Sequence, residues 1–186
     1  GKTEVYMLLI EKALSQSGQV LYLLPEIALT EALTLRVSTR FPEKVLAYNS
    51  ALNKAKRVEA WHKVLKQDPS VQIVVGSRSA LFLPFSNLRL IIVDEEHDTS
   101  FKQADPAPRY HARDTAIYLA QLCKASIVLG SATPSLETYY NATPTGAGLS
   151  KYTLVNLQQR YAEAVSTHIE LIDLREEYKR KRMHGF

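Results

Sequence analysis

Short apolar runs alternate along this chain with longer stretches in which apolar residues recur at helical spacing. Five of the short runs are rich in Val, Ile and Leu and show little alternation with polar residues; they cover residues 20–24, 45–48, 71–75, 90–93 and 126–129. Unbroken apolar runs of this kind are typical of parallel strands that are covered on both faces. The pattern therefore predicts five buried, mostly parallel strands.

The stretches between these runs are predicted to be amphipathic helices. They cover residues 4–16, 29–40, 54–66, 111–124 and 135–140. Asn53 is the predicted N-cap of the third helix, and Gly18 is predicted to end the first. Trp61 lies in step with Val58 and Val64 on the third helix, which predicts that its indole packs in the core.

Alternating strands and helices predict an α/β fold, in which a mostly parallel, doubly wound sheet carries helices on both faces and forms three layers. At 186 residues, one domain is the expectation. Ligands in such a fold bind where the carboxyl ends of the strands meet. Residues 152–157 and 169–174 are further candidate strands, which follow a loop that contains Gly and Pro.

Composition narrows the function classes only a little. No run of about 18 apolar residues occurs, so a membrane span is not expected. The net charge of +4 permits nucleic-acid binding without requiring it, and the basic run at 179–182 is interpreted as a solvated chain end. The single cysteine, Cys123, can form neither an internal disulfide nor a zinc cluster, which fits the reducing cytoplasm.

The first three residues carry the first candidate chemistry. Gly1-Lys2-Thr3 has the form of the last three residues of a phosphate-binding loop, and a helical pattern follows directly. In such loops the lysine reaches the β- and γ-phosphates and the hydroxyl binds Mg²⁺. The chain is therefore expected to begin inside its own phosphate loop. The preceding strand would be formed by upstream residues or supplied by another segment or chain, or the neighbouring strands would close together.

Two acidic residues follow the fourth apolar run. Magnesium in NTPases needs a carboxylate at the end of a strand, which suits Asp94, and hydrolysis needs a group that activates water, which suits Glu95. The alternative is an acidic cap on a following helix. Because Lys2 precedes this pair in an alternating α/β pattern, the NTPase interpretation is favoured.

The polar loop at residues 98–114 interleaves cations with aromatic rings. Its candidate contacts for a single nucleic-acid strand are Phe101, Lys102, Arg109, Tyr110, His111 and Arg113. Bases stack on aromatic faces and phosphates pair with cations, so this composition fits a single-strand contact. The alternative is that Phe101 or Tyr110 only anchors the loop to the core.

Several segments carry a family resemblance over nearly the whole chain to about residue 174. They are 25–30 (Pro-Glu-Ile-Ala-Leu-Thr), 76–82 (Gly-Ser-Arg-Ser-Ala-Leu-Phe), 94–97 (Asp-Glu-Glu-His), 109–114 (Arg-Tyr-His-Ala-Arg-Asp) and 130–137 (Gly-Ser-Ala-Thr-Pro-Ser-Leu-Glu). The chain resembles the first motor lobe of superfamily 2 helicases and, within them, the primosomal replication-restart helicases. The resemblance implies a RecA-like P-loop NTPase lobe at residues 1–174, with 175–186 as a linker toward a second lobe.

The resemblance also implies the role of each motif in ATP hydrolysis. Gly1, Lys2 and Thr3 would bind phosphate, with Thr3 and Asp94 holding Mg²⁺. Lys2, Asp94 and Glu95 would be the catalytic residues, and Glu95 would activate the attacking water. Glu96 and His97 would contact the nucleotide and relay its state. Ser131 and Thr133 would receive it and couple hydrolysis to strand movement.

For DNA, the resemblance implies that Thr30, Ser77 and Arg78 touch the backbone. The loop at 98–114 would sense DNA and switch on the ATPase, as the matching loop does in RecQ-like helicases. The implied activity is an ATP-dependent 3′-5′ DNA helicase that remodels stalled forks and helps to assemble the primosome. Its partners would be single-stranded and forked DNA, single-strand-binding protein and primosome proteins.

Further expectations follow from the same resemblance. ATP and Mg²⁺ would be the cofactors, zinc would be bound only by parts of the parent protein outside this chain, and the protein would be cytoplasmic and nucleoid-associated in a bacterium. Because an arginine finger would come from a second lobe, this lobe alone is expected to hydrolyse ATP negligibly. The alternatives are another superfamily 2 translocase and a non-catalytic nucleic-acid-binding module.

Overall fold

The computed structural model describes residues 1–26, 28, 31–143 and 150–157. The chain forms two compact units, Gly1–Asn156 and Leu157–Phe186, and the description below concerns the first. The predicted strand at 169–174, the predicted domain end at 174 and the basic run at 179–182 all lie outside the described residues. No helix in the described ranges is long and apolar enough to cross a membrane.

Helices and strands alternate from the first residues onward. In chain order they are α1 (Lys2–Ser15), β1 (Gln19–Leu23), α2 (Glu31–Arg40), β2 (Val45–Tyr48), α3 (Lys54–Leu65), β3 (Ile73–Gly76), β4 (Leu88–Asp94), β5 (Lys102–Gln103), β6 (Tyr110–His111), α4 (Ala112–Cys123), β7 (Ser126–Gly130) and α5 (Leu136–Ala142). Short 3₁₀ helices cover Arg78–Phe82 and Thr99–Phe101. The five predicted strands and five predicted helices are all present, within a few residues of the predicted ends.

Five strands form one parallel sheet in the order β2-β3-β1-β4-β7. Leu21 of β1 lies opposite Val74 of β3 on one side and Ile91 of β4 on the other. Strands β5 and β6 form a separate antiparallel ribbon of two residues each. The predicted parallel sheet is therefore confirmed, and the ribbon is an addition that lies within the polar loop at 98–114.

The sheet separates two hydrophobic layers, because successive side chains of a strand point to opposite faces. Val20 and Tyr22 of β1 pack with residues of α1 and α2, whereas Leu21 and Leu23 pack with residues of α3 and α4. β1 is buried along its whole length. The three-layer prediction is confirmed, and the continuous apolar runs are explained by burial on both faces.

Helix α3 is at its predicted place but presents a different face. Trp61 is 45% exposed, and Val58 is exposed as well, whereas Ala60 and Val64 are buried. Val64 of the predicted stripe is therefore buried, but the buried face includes Ala60 and not Trp61 or Val58. The small Ala60 side chain allows the helix to lie close to the sheet. The prediction that Trp61 packs in the core is wrong.

The predicted N-cap of α3 is confirmed, since Asn53 Oδ1 accepts a hydrogen bond of 2.9 Å from the Lys56 N–H. The end of α1 differs from the prediction. The left-handed turn after this helix is made by Ser17, with φ of 56°. Gly18 is needed for a different reason, because a Cβ there would lie 2.4 Å from the Arg89 Cγ atom.

Two features of the sheet surroundings also bear on the predictions. Residues 152–157, predicted as a strand, have no regular secondary structure. Within the described ranges, β7 is an edge strand that pairs with β4 alone. No strand in these ranges pairs with the free edge of β7 to replace the strand expected before the phosphate loop.

Candidate nucleotide site and the adjoining loop

The predicted phosphate and acidic motifs meet at the carboxyl edge of the sheet. Lys2 opens α1, Asp94 ends β4 and Gly130 ends β7. Asp94 and Gly130 face each other across the β4–β7 pair. The edge where the parallel strands end therefore gathers the chemistry, as predicted for this fold.

Lys2 binds the two acidic residues directly. Its Nζ atom lies 2.6 Å from Glu95 Oε1 and 3.4 Å from Asp94 Oδ1. The side chains of all three residues are partly shielded from water. One lysine charge is therefore shared between two carboxylates, and the residues predicted to be catalytic form one cluster.

Two buried tyrosines hold the carboxylate of Asp94. The Tyr6 hydroxyl donates to Oδ1 at 2.9 Å, and the Tyr22 hydroxyl donates to Oδ2 at 3.3 Å. Their rings pack edge to face, with centroids 5.7 Å apart. Burial, followed by the Asp94 charge, raises the pKa of both phenols, so they remain neutral hydrogen-bond donors.

Sequence reasoning missed both tyrosines, although each had a detectable signal. Tyr6 stands one helical turn after Lys2 on α1, so it faces the same edge of the sheet. Tyr22 is the one polar-tipped side chain in an otherwise apolar β1 segment from Val20 to Leu24.

Gly130 makes the approach of Tyr6 possible. A Cβ on Gly130 would lie 1.7 Å from the Tyr6 hydroxyl oxygen and 3.3 Å from Asp94 Oδ1. Any larger residue would push the phenol away from the carboxylate. Gly130, which begins the Gly-Ser-Ala-Thr segment, therefore leaves the space that the Tyr6–Asp94 hydrogen bond occupies.

A tight turn follows Asp94 and sends successive side chains in different directions. Glu95 has φ of 50°, a left-handed conformation that is uncommon for this residue type. The Asp98 N–H closes the turn on the Glu95 carbonyl at 2.8 Å. Strained backbone of this kind concentrates at functional sites. Here it places Glu95 beside Lys2 and turns Glu96 into the protein interior.

His97 connects the acidic turn to the segment after β7. Its Nδ1 atom lies 2.7 Å from Ser131 Oγ and 3.7 Å from Glu95 Oε2. Its Nε2 atom lies 3.5 Å from Thr133 Oγ1. Three of the four residues of the predicted relay, His97, Ser131 and Thr133, are therefore in contact. The fourth, Glu96, has a different set of partners.

Glu96 is 1% exposed and accepts four hydrogen bonds. The Ser135 N–H donates to Oε1 at 2.7 Å, and Oε2 accepts from Ser135 Oγ (3.1 Å), Thr138 Oγ1 (2.9 Å) and Arg113 Nη1 (3.1 Å). Burial alone would raise the pKa of Glu96, but these donors outweigh it and lower the pKa. Since both oxygens are occupied away from Lys2, this arrangement does not support the predicted nucleotide contact of Glu96.

The segment at 76–82 and the ribbon are packed together. Arg78 Nη1 donates to the carbonyls of Ser100 and Lys102, both at 3.1 Å. Phe82 and Tyr110 pack edge to face, with ring centroids 5.2 Å apart. Two segments predicted separately to touch DNA therefore form one surface.

The structure changes the roles of three predicted contacts in these segments. Phe101 is 1% exposed and belongs to the core cluster, so it anchors the loop and cannot stack on a base in this conformation. Ser77 and Arg113 are also buried, so neither presents its side chain to DNA in this conformation. Thr30 lies outside the described residues.

The other predicted loop contacts surround an open hollow of about 530 Å³. Its lining comprises Lys102, Gln103, Ala104, Arg109, Tyr110 and His111. Two cations and a half-buried tyrosine ring thus face one space, which is the combination that a phosphate and a stacked base require.

The residues present fit Mg²⁺ bound together with a nucleotide. Within the described ranges, no group of three or more His, Cys, Asp and Glu side chains forms a metal site. Mg²⁺ in ATPases takes one or two carboxylates and obtains its other ligands from phosphates and water. Asp94, a carboxylate oriented by two hydroxyls beside Lys2, meets that requirement, and Thr3 lies in the first turn of α1 next to Lys2.

The parallel sheet brings together a lysine from the start of a helix and two acidic residues from the end of a strand. This arrangement defines the class of RecA-like P-loop ATPase lobes. The sequence profile of DEAD/DEAH box helicases matches residues 1–142, and the chain belongs to this family.

Curated relatives with the name Replication restart protein PriA match nearly the whole chain. That of Bacillus subtilis (strain 168) is 41% identical over 179 residues, which are 96% of this chain and 21% of the relative. That of Rickettsia prowazekii (strain Madrid E) is 46% identical over 177 residues, which are 95% of this chain and 26% of the relative. The chain therefore spans about a fifth to a quarter of the length of these relatives.

Solved structures show the same fold at low identity. The DUF1998 helicase MrfA, in a crystal structure bound to DNA and AMPPNP, aligns with a TM-score of 0.52 and 21% identity over 73% of this chain and 21% of that chain. The C-terminal part of the Fun30 ATPase domain aligns with a TM-score of 0.51 and 17% identity, over 84% of this chain and 49% of that chain. Both alignments support the α/β fold described above.

Proposed function

We propose that this chain is the ATP-binding lobe of an ATP-dependent DNA helicase that acts in replication restart. The observation that carries the proposal is the cluster of Lys2, Asp94 and Glu95 at the carboxyl edge of the sheet. It occurs in a chain that is similar over nearly its whole length to proteins with the name Replication restart protein PriA.

The proposed chemistry follows from the side chains in this cluster. Lys2 and the backbone at the start of α1 bind the β- and γ-phosphates, with Gly1 and Thr3 beside them. Asp94 and Thr3 would hold Mg²⁺, and the bound ion would neutralise charge on the phosphates. A γ-phosphate is a stronger partner for Lys2 than a carboxylate is, so ATP binding releases Glu95 to accept a proton from the attacking water.

The DNA site is proposed on the surface that combines the ribbon with the 76–82 segment. Tyr110 would stack on a base, and Lys102 and Arg109 would pair with phosphates around the hollow, with His111 at its edge. Arg78 supports this loop through its two carbonyl contacts. His97, Ser131 and Thr133 then connect the DNA side to the nucleotide side through their mutual contacts.

The remaining properties are proposed from the likeness to the PriA proteins. They comprise 3′-5′ movement on single-stranded and forked DNA, contacts with single-strand-binding protein and primosome proteins, and a bacterial cytoplasmic, nucleoid-associated location. A DNA contact by Thr30 and a lobe boundary at residue 174 also remain proposals.

The proposal is tested by Glu95→Gln in the full-length protein that contains this chain. Loss of the general base is expected to reduce DNA-stimulated ATP hydrolysis by about 10²–10⁴-fold, because positioned proton transfer contributes that much. ATP affinity, measured by calorimetry, should change little. Glu59→Gln is the matched control, since Glu59 is exposed on α3 and pairs only with Lys63 among the described ion pairs.

Two results would reject parts of this assignment. Hydrolysis that survives Glu95→Gln would exclude Glu95 as the base. An unaltered full-length protein that binds DNA without hydrolysing ATP would favour the non-catalytic module instead.

A further inference from the structure

A buried ion pair joins the acidic turn to the DNA-facing loop. Arg113 is 9% exposed, and its Nη1 atom lies 3.1 Å from Glu96 Oε2 and 2.7 Å from Ser135 Oγ. Its Nε atom donates to Asp114 Oδ1 at 2.8 Å. Arg113 is the second residue of α4, which begins directly after the ribbon strand Tyr110–His111.

Glu96 is the other end of this connection, and its neighbours in sequence are the proposed base and His97. Its backbone N–H donates to the Gly130 carbonyl at 3.1 Å, and its carboxylate also accepts from Ser135 and Thr138 at the start of α5. The acidic turn, the ribbon with α4, and the segment after β7 therefore converge on one carboxylate.

This arrangement constrains how these segments can move. Separating Arg113 from Glu96 would break a buried ion pair and leave the Glu96 carboxylate with only neutral donors in the protein interior, which is unfavourable. A displacement of the ribbon that also moves the start of α4, and Arg113 with it, must therefore move Glu96 as well or exchange its partners. Because Glu95 precedes Glu96 in a turn with positive φ, a small shift of Glu96 changes where the Glu95 carboxylate points.

We propose that the Arg113–Glu96 pair is the positioning link through which nucleic acid bound at the ribbon sets the orientation of Glu95. Neither Arg113 nor Glu96 is proposed to contact the phosphates of ATP or the attacking water. Both are therefore positioning residues that act through Glu95 and His97. The inference depends on the proposed ATPase and DNA sites and adds the route between them.

A different result is expected if the Arg113–Glu96 pair has only a structural role. If Arg113 only stabilised the fold, its replacement would lower the melting temperature and reduce basal and DNA-stimulated hydrolysis by the same factor. If it is the link, basal hydrolysis persists and the stimulation by DNA is lost, although ATP and DNA still bind.

The experiment compares Arg113→Met, Arg113→Lys and Asp114→Asn in the full-length protein. Basal ATPase, ATPase at saturating single-stranded DNA, DNA affinity by fluorescence anisotropy and melting temperature are measured for each. Coupling between sites usually amounts to about 5–150-fold, so Arg113→Met is expected to lower the stimulation factor at least about tenfold. Arg113→Lys keeps the charge without the planar fork and should restore part of it.

Asp114→Asn is the matched control, because it weakens the other partner of Arg113 and leaves the Glu96 contact in place. Asp114 is 59% exposed, so stimulation should stay within about twofold of the unaltered protein, as is usual for exposed ion pairs. If Arg113→Met does not fold, Arg113→Lys decides the question together with Thr138→Val, which removes one neutral donor to Glu96. Reduced stimulation in these two variants supports the link.

Three outcomes overturn it: full stimulation in all Arg113 variants, an equal loss of basal and stimulated rates, or a loss explained entirely by weaker DNA binding. An unaltered protein without DNA-stimulated hydrolysis would instead reject the proposed function, so the two failures are distinguishable.

Discussion

At the scale of single residues, the orientation of Asp94 depends on two phenols and on the absence of a side chain at Gly130. The sequence was sufficient to predict that Lys2, Asp94 and Glu95 meet. The acidic pair follows a predicted parallel strand directly, and Lys2 directly precedes a predicted helix. It did not reveal Tyr6 and Tyr22. Their hydroxyls matter only because α1 and β1 pack within reach of β4, and tyrosines in apolar segments otherwise resemble core residues.

Replacing Tyr6 by Phe should weaken magnesium-dependent nucleotide binding. The substitution keeps the ring and removes the 2.9 Å donor to Asp94. A lost hydrogen bond to a charged group is worth about 1.5–3 kcal/mol, so the affinity for Mg²⁺ with a non-hydrolysable ATP analogue should fall by roughly tenfold or more.

Tyr118→Phe is the control, because Tyr118 is exposed on α4. Titration calorimetry with and without Mg²⁺ provides the measurement. Equal affinities for the Tyr6 and Tyr118 variants would show that the phenol does not orient Asp94.

At the scale of elements, helical spacing predicted the position of α3 but not the face that it buries. Val64 can form an apolar stripe with Trp61 and Val58 or a smaller one with Ala60, and the sequence favours the first. The structure buries the second stripe, since a small residue permits close approach to the sheet. Likewise, the composition of the 98–114 loop predicted a DNA surface, whereas the burial of Phe101 depends on tertiary packing.

The face of α3 is tested by two alanine substitutions in this chain. Val64→Ala should lower the free energy of unfolding by about 1–3 kcal/mol, because it removes buried methyl groups. Trp61→Ala should change it by less than about 1 kcal/mol, since the larger side chain is half-exposed. Urea unfolding followed by circular dichroism measures both, and a larger loss at Trp61 would contradict the assigned face.

At the scale of the whole molecule, the strand order β2-β3-β1-β4-β7 brings the motifs to one edge of the sheet. The alternation of strands and helices predicted the layers and that edge. It could not predict which strands are neighbours, because parallel strands far apart in sequence pair through their packing and not through a local signal. The Glu96–Arg113 contact was missed for the same reason, since it joins residues from two separate elements.

The central claim is that the nucleotide cluster and the ribbon form one DNA-dependent ATPase. Its most direct test is the ATP hydrolysis rate of the full-length protein, with and without single-stranded DNA, compared with Tyr110→Ala. Single-stranded DNA should raise the unaltered rate by at least about tenfold, as coupled sites commonly do. Tyr110→Ala should lose most of that increase and keep its ATP affinity. Undiminished stimulation in Tyr110→Ala, or a matching loss of ATP binding, would contradict the claim.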